Sequence, residues 1–374
     1  MVCQDYKKVA IIALTRGGCQ TALRLGGLLP GADLYLKAGA LAAEEESAAG
    51  VKYFSQKLAD LIAEIYGRYQ GFVMIMAAGI VFRTFAPYVV HKSQDPAVVV
   101  LDEQAHFAIS LLSGHLGGAN QLAREVAERW GEPDGVPCQA VITTATDVRQ
   151  KPAFDLLAQA NNCQIANLSE LKYISSALVN GGRVVFLSDL EVLGAPPEVV
   201  ICAADAEYSP CPDLVVASPY LLKPQSLPQA EHILHLIPRV LTLGVGCKRG
   251  TEAAALQQAA ADFLAKNGVE PQALRQIASI DLKKDEPAIL ALAEHYKTPF
   301  VTYTAEELRQ EAAELPEGRQ SDFVRRTVGT PGVAEPAALL AAGGKDIARL
   351  IAGKTVYPGI TLSLALDTRQ VFQF

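Results

Sequence analysis

Asp95-Pro96-Ala97-Val98-Val99-Val100-Leu101-Asp102-Glu103 decides the fold class. Its apolar middle has no polar face, so the strand it predicts must be covered on both sides, as strands of parallel sheets are. Comparable short runs recur at Val9–Leu14, Phe72–Met76, Ala140–Thr144, Arg183–Leu187, Val240–Gly244, Phe300–Tyr303 and Ile360–Leu366. Between them lie stretches with helical spacing. After Asn120 come Leu122, Ala123, Val126, Ala127 and Trp130; after Thr251 come Ala255, Leu256, Ala259, Ala260, Phe263 and Leu264, ending at Asn267-Gly268. Thr251 is the expected N-cap of that second helix and Gly268 its stop. Strand alternating with helix predicts an α/β protein built of three-layer α/β/α units with mostly parallel sheets.

The chain has 374 residues, more than the roughly 100–200 of one domain. Loop-rich stretches at 131–137 and 221–238, marked by Pro133, Pro137, Pro224, Pro228 and Pro238, predict domains at 1–136, 137–237 and 238–374. A net charge of -7 gives no reason to seek nucleic acid or anionic lipid. Seven scattered cysteines without a CxxC pair argue against a disulfide framework and a zinc site and suit a reducing cytoplasm. The apolar run at Val9 is broken by Arg16 and two glycines, unlike a secretory leader. No run reaches the ~20 apolar residues of a membrane span, and the histidines show no metal-ligand spacing.

Three constellations could carry chemistry. In the first, the quoted strand ends in Asp102 and Glu103, a second apolar run spans Phe107–Leu112, and Ser113-Gly114-His115-Leu116-Gly117-Gly118-Ala119-Asn120 opens a helix capped by Asn120. Free N–H groups at a helix start attract anions, glycines admit a ligand, and histidine exchanges protons near neutral pH. Ligands of open α/β sheets sit at the carboxyl ends of strands, where Asp102, Glu103 and His115 are all expected. The same residues could equally serve turn geometry alone. In the second, Ala140–Thr144 ends in Thr143 and Thr144 and is followed by Thr146 and Asp147, which could bind ligand carboxylates or merely cap a helix. In the third, Gly244-Val245-Gly246-Cys247-Lys248-Arg249-Gly250 combines glycines with two cations before a helix, a pattern that favours an anionic ligand. It lacks the spacing of a dinucleotide fingerprint or a P-loop. Cys247, Arg83 and the Lys283–Glu286 stretch are weaker candidates.

Taken in order, these stretches resemble the cobalt-precorrin-5A hydrolase (CbiG) family. Ala77-Ala78-Gly79-Ile80-Val81-Phe82-Arg83, Ile280-Asp281-Leu282-Lys283-Lys284-Asp285-Glu286 and Val333-Ala334-Glu335-Pro336-Ala337-Ala338 extend the likeness over nearly the whole chain. His91 and Ala105 depart from the family pattern, which has an acidic residue and a glycine there. The resemblance implies a cytoplasmic enzyme of anaerobic cobalamin biosynthesis. Such an enzyme opens the ring-A δ-lactone of cobalt-precorrin-5A with water and releases acetaldehyde. It implies no cofactor and no metal site of the protein's own, because cobalt is carried by the substrate. His115 is then the expected base, oriented by Glu103 or Asp102. Gly117 and Gly118 are the expected oxyanion donors. Ser113, Gly114, Asn120, Thr143, Thr144, Asp147, Gly244, Gly246, Lys248 and Arg249 are expected to bind the polycarboxylated tetrapyrrole. A non-catalytic tetrapyrrole carrier is the alternative; a homodimer and association with other corrin-pathway enzymes stay open.

Overall fold

The computed structural model describes residues 8–42, 50–91, 94–132, 135–202, 211–223, 227–313 and 329–374. Pro133 and Pro224, two of the prolines that mark the expected boundaries, lie outside them. The chain forms two compact units, Met1–Lys151 and Pro152–Phe374.

The first unit is built on seven strands: β1 (Val9–Ala13), β2 (Asp33–Lys37), β3 (Val51–Phe54), β4 (Gly71–Ile75), β5 (Ala97–Leu101), β6 (Phe107–Leu112) and β7 (Gln139–Val141). Their order is β3-β2-β1-β4-β5-β6-β7. Every residue of β1, β4 and β5 is buried, as the two-sided apolarity of the quoted strand requires. Helices α1 (Arg16–Leu28) and α4 (Ala119–Trp130) cover one face through Ala22, Leu25, Leu122 and Val126. Helices α2 (Leu58–Ile65) and α3 (Ala78–Phe85) cover the other through Ile62, Val81 and Phe85. This is the expected three-layer unit with a mostly parallel sheet.

One pairing changes the geography of the site. β5 and β6 are antiparallel, with Leu101 opposite Ala108 and Val98 opposite Leu112, whereas β1, β2, β3, β4 and β5 are all parallel. β6 therefore carries the chain back across the sheet, and β7 runs parallel to it. The β5 terminus with Asp102 and Glu103 lies at one edge. The β6 and β7 termini with His115 and Thr144 lie at the opposite edge, about 17 Å away for five-residue strands. The first unit also runs past the expected boundary at 136, because β7 pairs with β6 and a short helix, α5 (Ala145–Val148), follows it.

The second unit holds two sheets. The middle one contains β8 (Cys163–Ile165), β9 (Val184–Ser188), β11 (Val199–Cys202), β12 (Cys211–Ala217) and β13 (Ala230–Pro238), in the order β11-β9-β12-β13-β8. β13 falls in the stretch expected to be loop. The near-continuous apolar run of Ile233, Leu234, Leu236 and Ile237 around the buried His235 outweighs the flanking prolines, because Pro238 stands only at the strand's last position. Two three-residue strands, β10 (Glu191–Leu193) and β19 (Val371–Gln373), pair separately. The other sheet contains β14 (Leu241–Cys247), β15 (Leu274–Ile280), β16 (Phe300–Tyr303), β17 (Ala348–Tyr357) and β18 (Ile360–Asp367), in the order β16-β15-β14-β18-β17. The helix Ala253–Lys266 follows β14 and stops at Gly268, whose φ is +65°. Its N-cap is Glu252, not Thr251; the Thr251 hydroxyl donates instead to the Lys248 carbonyl at 2.7 Å.

Candidate functional site

The Ser113–Asn120 turn has a tightly determined shape. Ser113 is left-handed at φ +58°, a conformation that costs a non-glycine residue roughly 1–2 kcal/mol. A Cβ on Gly117 would lie 2.3 Å from the Ser113 Cβ, and one on Gly114 would lie 2.7 Å from the Asn120 Oδ1. Both glycines are thus required by close approach within the turn itself. The Gly118 N–H donates to the His115 carbonyl at 2.8 Å. Of the two expected oxyanion donors, only Gly117's N–H has no hydrogen-bond partner among the described residues. Asn120 is the second residue of α4, not its cap; Gly118 occupies the cap position.

The turn brings His115 onto α5. His115 Nε2 lies 2.7 Å from Asp147 Oδ2 and 3.1 Å from the Thr146 hydroxyl. The Asn120 side-chain amide donates to the same Asp147 oxygen at 2.9 Å and to the Thr144 hydroxyl at 3.0 Å. Its carbonyl oxygen accepts from the Ser110 hydroxyl at 2.7 Å. Arg124 donates to Asp147 Oδ1 at 2.6 Å. The His115 and Asp147 side chains are 15% and 12% exposed, so the pair is largely shielded while still reachable. Burial alone would raise the Asp147 carboxyl, but hydrogen bonds from Arg124 and His115 outweigh it and hold the group below its usual value. An ionised carboxylate only accepts, so His115 Nε2 carries the proton toward Asp147.

The sequence reading placed the wrong carboxylates beside the histidine. Asp102 accepts from the Phe107 N–H at 2.7 Å and the Gln104 N–H at 3.2 Å, which closes the β5–β6 hairpin. The Glu103 side chain accepts from the Thr15 hydroxyl, and its carbonyl accepts from Thr21 at 2.5 Å, which ties it to α1. Both stand at the far edge of the sheet, because the antiparallel β6 separates them from His115. Asp147, expected to meet substrate, is instead spent on His115, Asn120 and Arg124. Thr144 joins this network, while Thr143 is exposed beside it. Arg124 and Ser110 went unnoticed in the sequence, and Thr146, read there as a possible ligand contact, instead meets His115. The 120/124 spacing, which puts two polar residues on one helix face, was the available signal.

In the second unit, Gly244 and Gly246 lie within β14 and not in a loop. A Cβ on Gly244 would lie 1.9 Å from the Ala334 carbonyl oxygen, and one on Gly246 would lie 2.5 Å from the Thr361 hydroxyl. These glycines admit a helix and a neighbouring strand, so the packing explains them without a ligand. Lys248 and Arg249 are exposed at the carboxyl end of β14. The Gly250 N–H is taken by Glu286 Oε1 at 3.0 Å, and Lys283 pairs with Glu286 Oε2 at 2.7 Å. That Lys283 hydrogen bond is the main reason the Glu286 carboxyl lies below its ordinary range. Burial pushes the Cys247 thiol up against the pull of Lys283, the opposite of an activated nucleophile. No group of three or more His, Cys, Asp or Glu among the described residues could hold a metal ion. No described helix is long and apolar enough to cross a membrane.

The first unit is thus an α/β sheet covered by helices on both faces, with a shielded histidine–carboxylate pair at one end of its strands. The chain belongs to the cobalamin synthesis G family. The family's N-terminal region matches residues 60–147, its central region residues 152–238 and its C-terminal region residues 241–365. The chain is 31% identical over 371 residues to the cobalt-precorrin-5A hydrolase of Priestia megaterium, covering 97% of this chain and 95% of that one. It is 34% identical over 378 residues to the cobalt-precorrin-5A hydrolase of Salmonella typhimurium, covering 96% and 98%. A stretch of 125 residues is 42% identical to Protein CobE of a Sinorhizobium species, covering 33% of this chain and 79% of that one.

Proposed function

We propose that this chain is a cobalt-precorrin-5A hydrolase of anaerobic cobalamin biosynthesis, with His115 as its base. End-to-end similarity to two relatives bearing that name carries the reading, and the shielded His115–Asp147 pair supports the assignment of the base. In the first step a water oxygen bonds to the lactone carbonyl carbon while a base takes the water's proton. The tetrahedral oxyanion collapses, the ring C–O bond breaks, and the freed alkoxide takes a proton to become a hydroxyl. In the second step the base removes that hydroxyl proton. The C–C bond to the macrocycle breaks, its electron pair enters the conjugated ring, and acetaldehyde leaves to give cobalt-precorrin-5B. One base thus serves both steps. The Gly117 N–H is the candidate donor to the oxyanion. Thr143, exposed beside His115, is a candidate partner for the substrate's acetate and propionate groups. Cobalt enters within the macrocycle as part of the substrate, and the chain brings no cofactor to the reaction.

Anaerobic incubation with cobalt-precorrin-5A should release acetaldehyde in step with loss of the lactone. Tight binding of the macrocycle without acetaldehyde would make the chain a carrier and overturn the proposal. His115→Ala should abolish turnover while leaving substrate affinity within about tenfold, as expected of a group acting mainly in the transition state. Turnover at the wild-type rate in that variant removes His115 as the base.

A further inference from the structure

We infer that Asp147 is a positioning residue that fixes the working tautomer of His115, and that Asn120 and Arg124 hold Asp147 in place for that task. The inference rests on His115 being the base.

Asp147 makes no contact that suits it to a substrate carboxylate, since like charges repel. Each of its oxygens is already engaged by this chain. Oδ1 takes the Arg124 guanidinium at 2.6 Å; Oδ2 takes His115 Nε2 at 2.7 Å and the Asn120 amide at 2.9 Å. Asn120 is 4% exposed and is itself oriented by the Ser110 hydroxyl at 2.7 Å. Because the ionised Asp147 only accepts, the Asn120 amide nitrogen faces it and the Asn120 oxygen is left to the Ser110 hydroxyl. A chain of four groups from β6, α4, α5 and the turn therefore ends on one ring nitrogen. With Nε2–H donating to an ionised carboxylate, the lone pair of neutral His115 is on Nδ1. Nδ1 is then the atom that accepts the water or hydroxyl proton. The imidazolium formed in that step lies against the Asp147 charge, which stabilises it. The Thr146 hydroxyl at 3.1 Å is a second acceptor for the same Nε2–H. The left-handed Ser113 and the side-chain-free Gly114 and Gly117 bring His115 to this anchor, a use of local strain found at functional sites.

The test combines Asp147→Asn with a readout other than activity. In the 15N-labelled wild-type protein, the long-range 1H–15N spectrum of His115 should show the Nε2–H tautomer when the ring is neutral. In Asp147→Asn the Nδ1–H form should become detectable, and the ring should titrate at lower pH, having lost its anionic partner. kcat should fall at least about tenfold and up to about 10⁴-fold, the loss seen when a catalytic histidine is left in the wrong tautomer, with KM little changed. The limb of the pH–rate profile belonging to the base should move to lower pH. Asp147→Glu should recover part of kcat, and Asn120→Leu should give a weaker version of the same defect. Circular dichroism and thermal melts at the assay temperature establish that each variant is folded. An unchanged His115 tautomer and titration in folded Asp147→Asn, with kcat intact, overturns the inference. If His115→Ala also retains turnover, the base assignment has failed; if His115→Ala is dead while Asp147→Asn is normal, only the positioning role has failed.

Discussion

Ser113 is held at φ +58° with a buried hydroxyl that has no hydrogen-bond partner among the described residues. Left-handed backbone costs about 1–2 kcal/mol and an unsatisfied hydroxyl about 1–3 kcal/mol, whereas glycine loses about 0.5–1 kcal/mol more chain entropy than alanine. The first two outweigh the third, so Ser113→Gly should stabilise the first unit by at least about 1 kcal/mol. Its melting temperature should rise by at least about 2 °C. An unchanged or lower value would show that the Ser113 hydroxyl is satisfied in solution. Asp147 has the reverse character. Its carboxyl sits below the ordinary 3.8 in the folded chain, so its stabilising contribution is present in full above the unfolded pKa and is lost as pH falls through the lower folded value. Denaturant melts of the wild type and Asp147→Asn should therefore differ at neutral pH, and the part of the gap owed to the carboxylate should begin to close as pH falls below about 4. A gap that does not shrink at all as pH is lowered from about 4 would mean the carboxylate's charge is not what holds the site.

At the level of elements, β14 shows how a chemical motif can conceal a packing one. Gly244 and Gly246 were legible as special, but their neighbours were not. The 1.9 Å approach of the Ala334 carbonyl to a hypothetical Gly244 Cβ comes from a helix ninety residues away in the chain, which no local pattern reveals. Gly244→Ala must push the helix Ala334–Ala341 off the sheet. It should destabilise the second unit by at least about 1–3 kcal/mol, the usual cost of overpacking, as read by chemical denaturation; wild-type stability would show that the helix does not bear on this strand. The buried strands themselves were readable because five or six apolar residues in a row permit no other placement. The direction of β6 was not. Hydrophobic pattern reports burial, and burial is the same for a parallel and an antiparallel neighbour. The three residues between Glu103 and Phe107 were the clue, since so short a connection cannot cross over to a parallel strand. That single reversal separates Asp102 and Glu103 from His115. It makes Asp147, read from sequence as a ligand contact, the histidine's partner.

At the scale of the molecule, the two units are closed differently. The first completes its sheet from residues 9–141 alone, so a fragment of residues 1–151 should fold cooperatively. The second depends on its last strand. β19 pairs with β10, and its Phe372 is fully buried in the core of the middle sheet with Phe154, Phe186 and Leu234. The rings of Phe186 and Phe372 stand 4.8 Å apart. Asn161 clasps the same strand, donating to the Gln373 carbonyl at 2.8 Å and accepting from its N–H at 2.7 Å. The expected 238–374 domain therefore gives its final strand to the domain before it, and residues 152–374 are stapled into one compact unit. Phe372→Ala removes a ring from a closed aromatic cluster, a change that typically costs about 3–5 kcal/mol. It should lower the stability of the 152–374 unit by that amount and leave the melting of the first unit untouched. Differential scanning calorimetry of the full chain should then show the transition of the second unit moving alone. A shift of both transitions together would mean that the two units unfold as one, and that the independence of their cores does not extend to their stability.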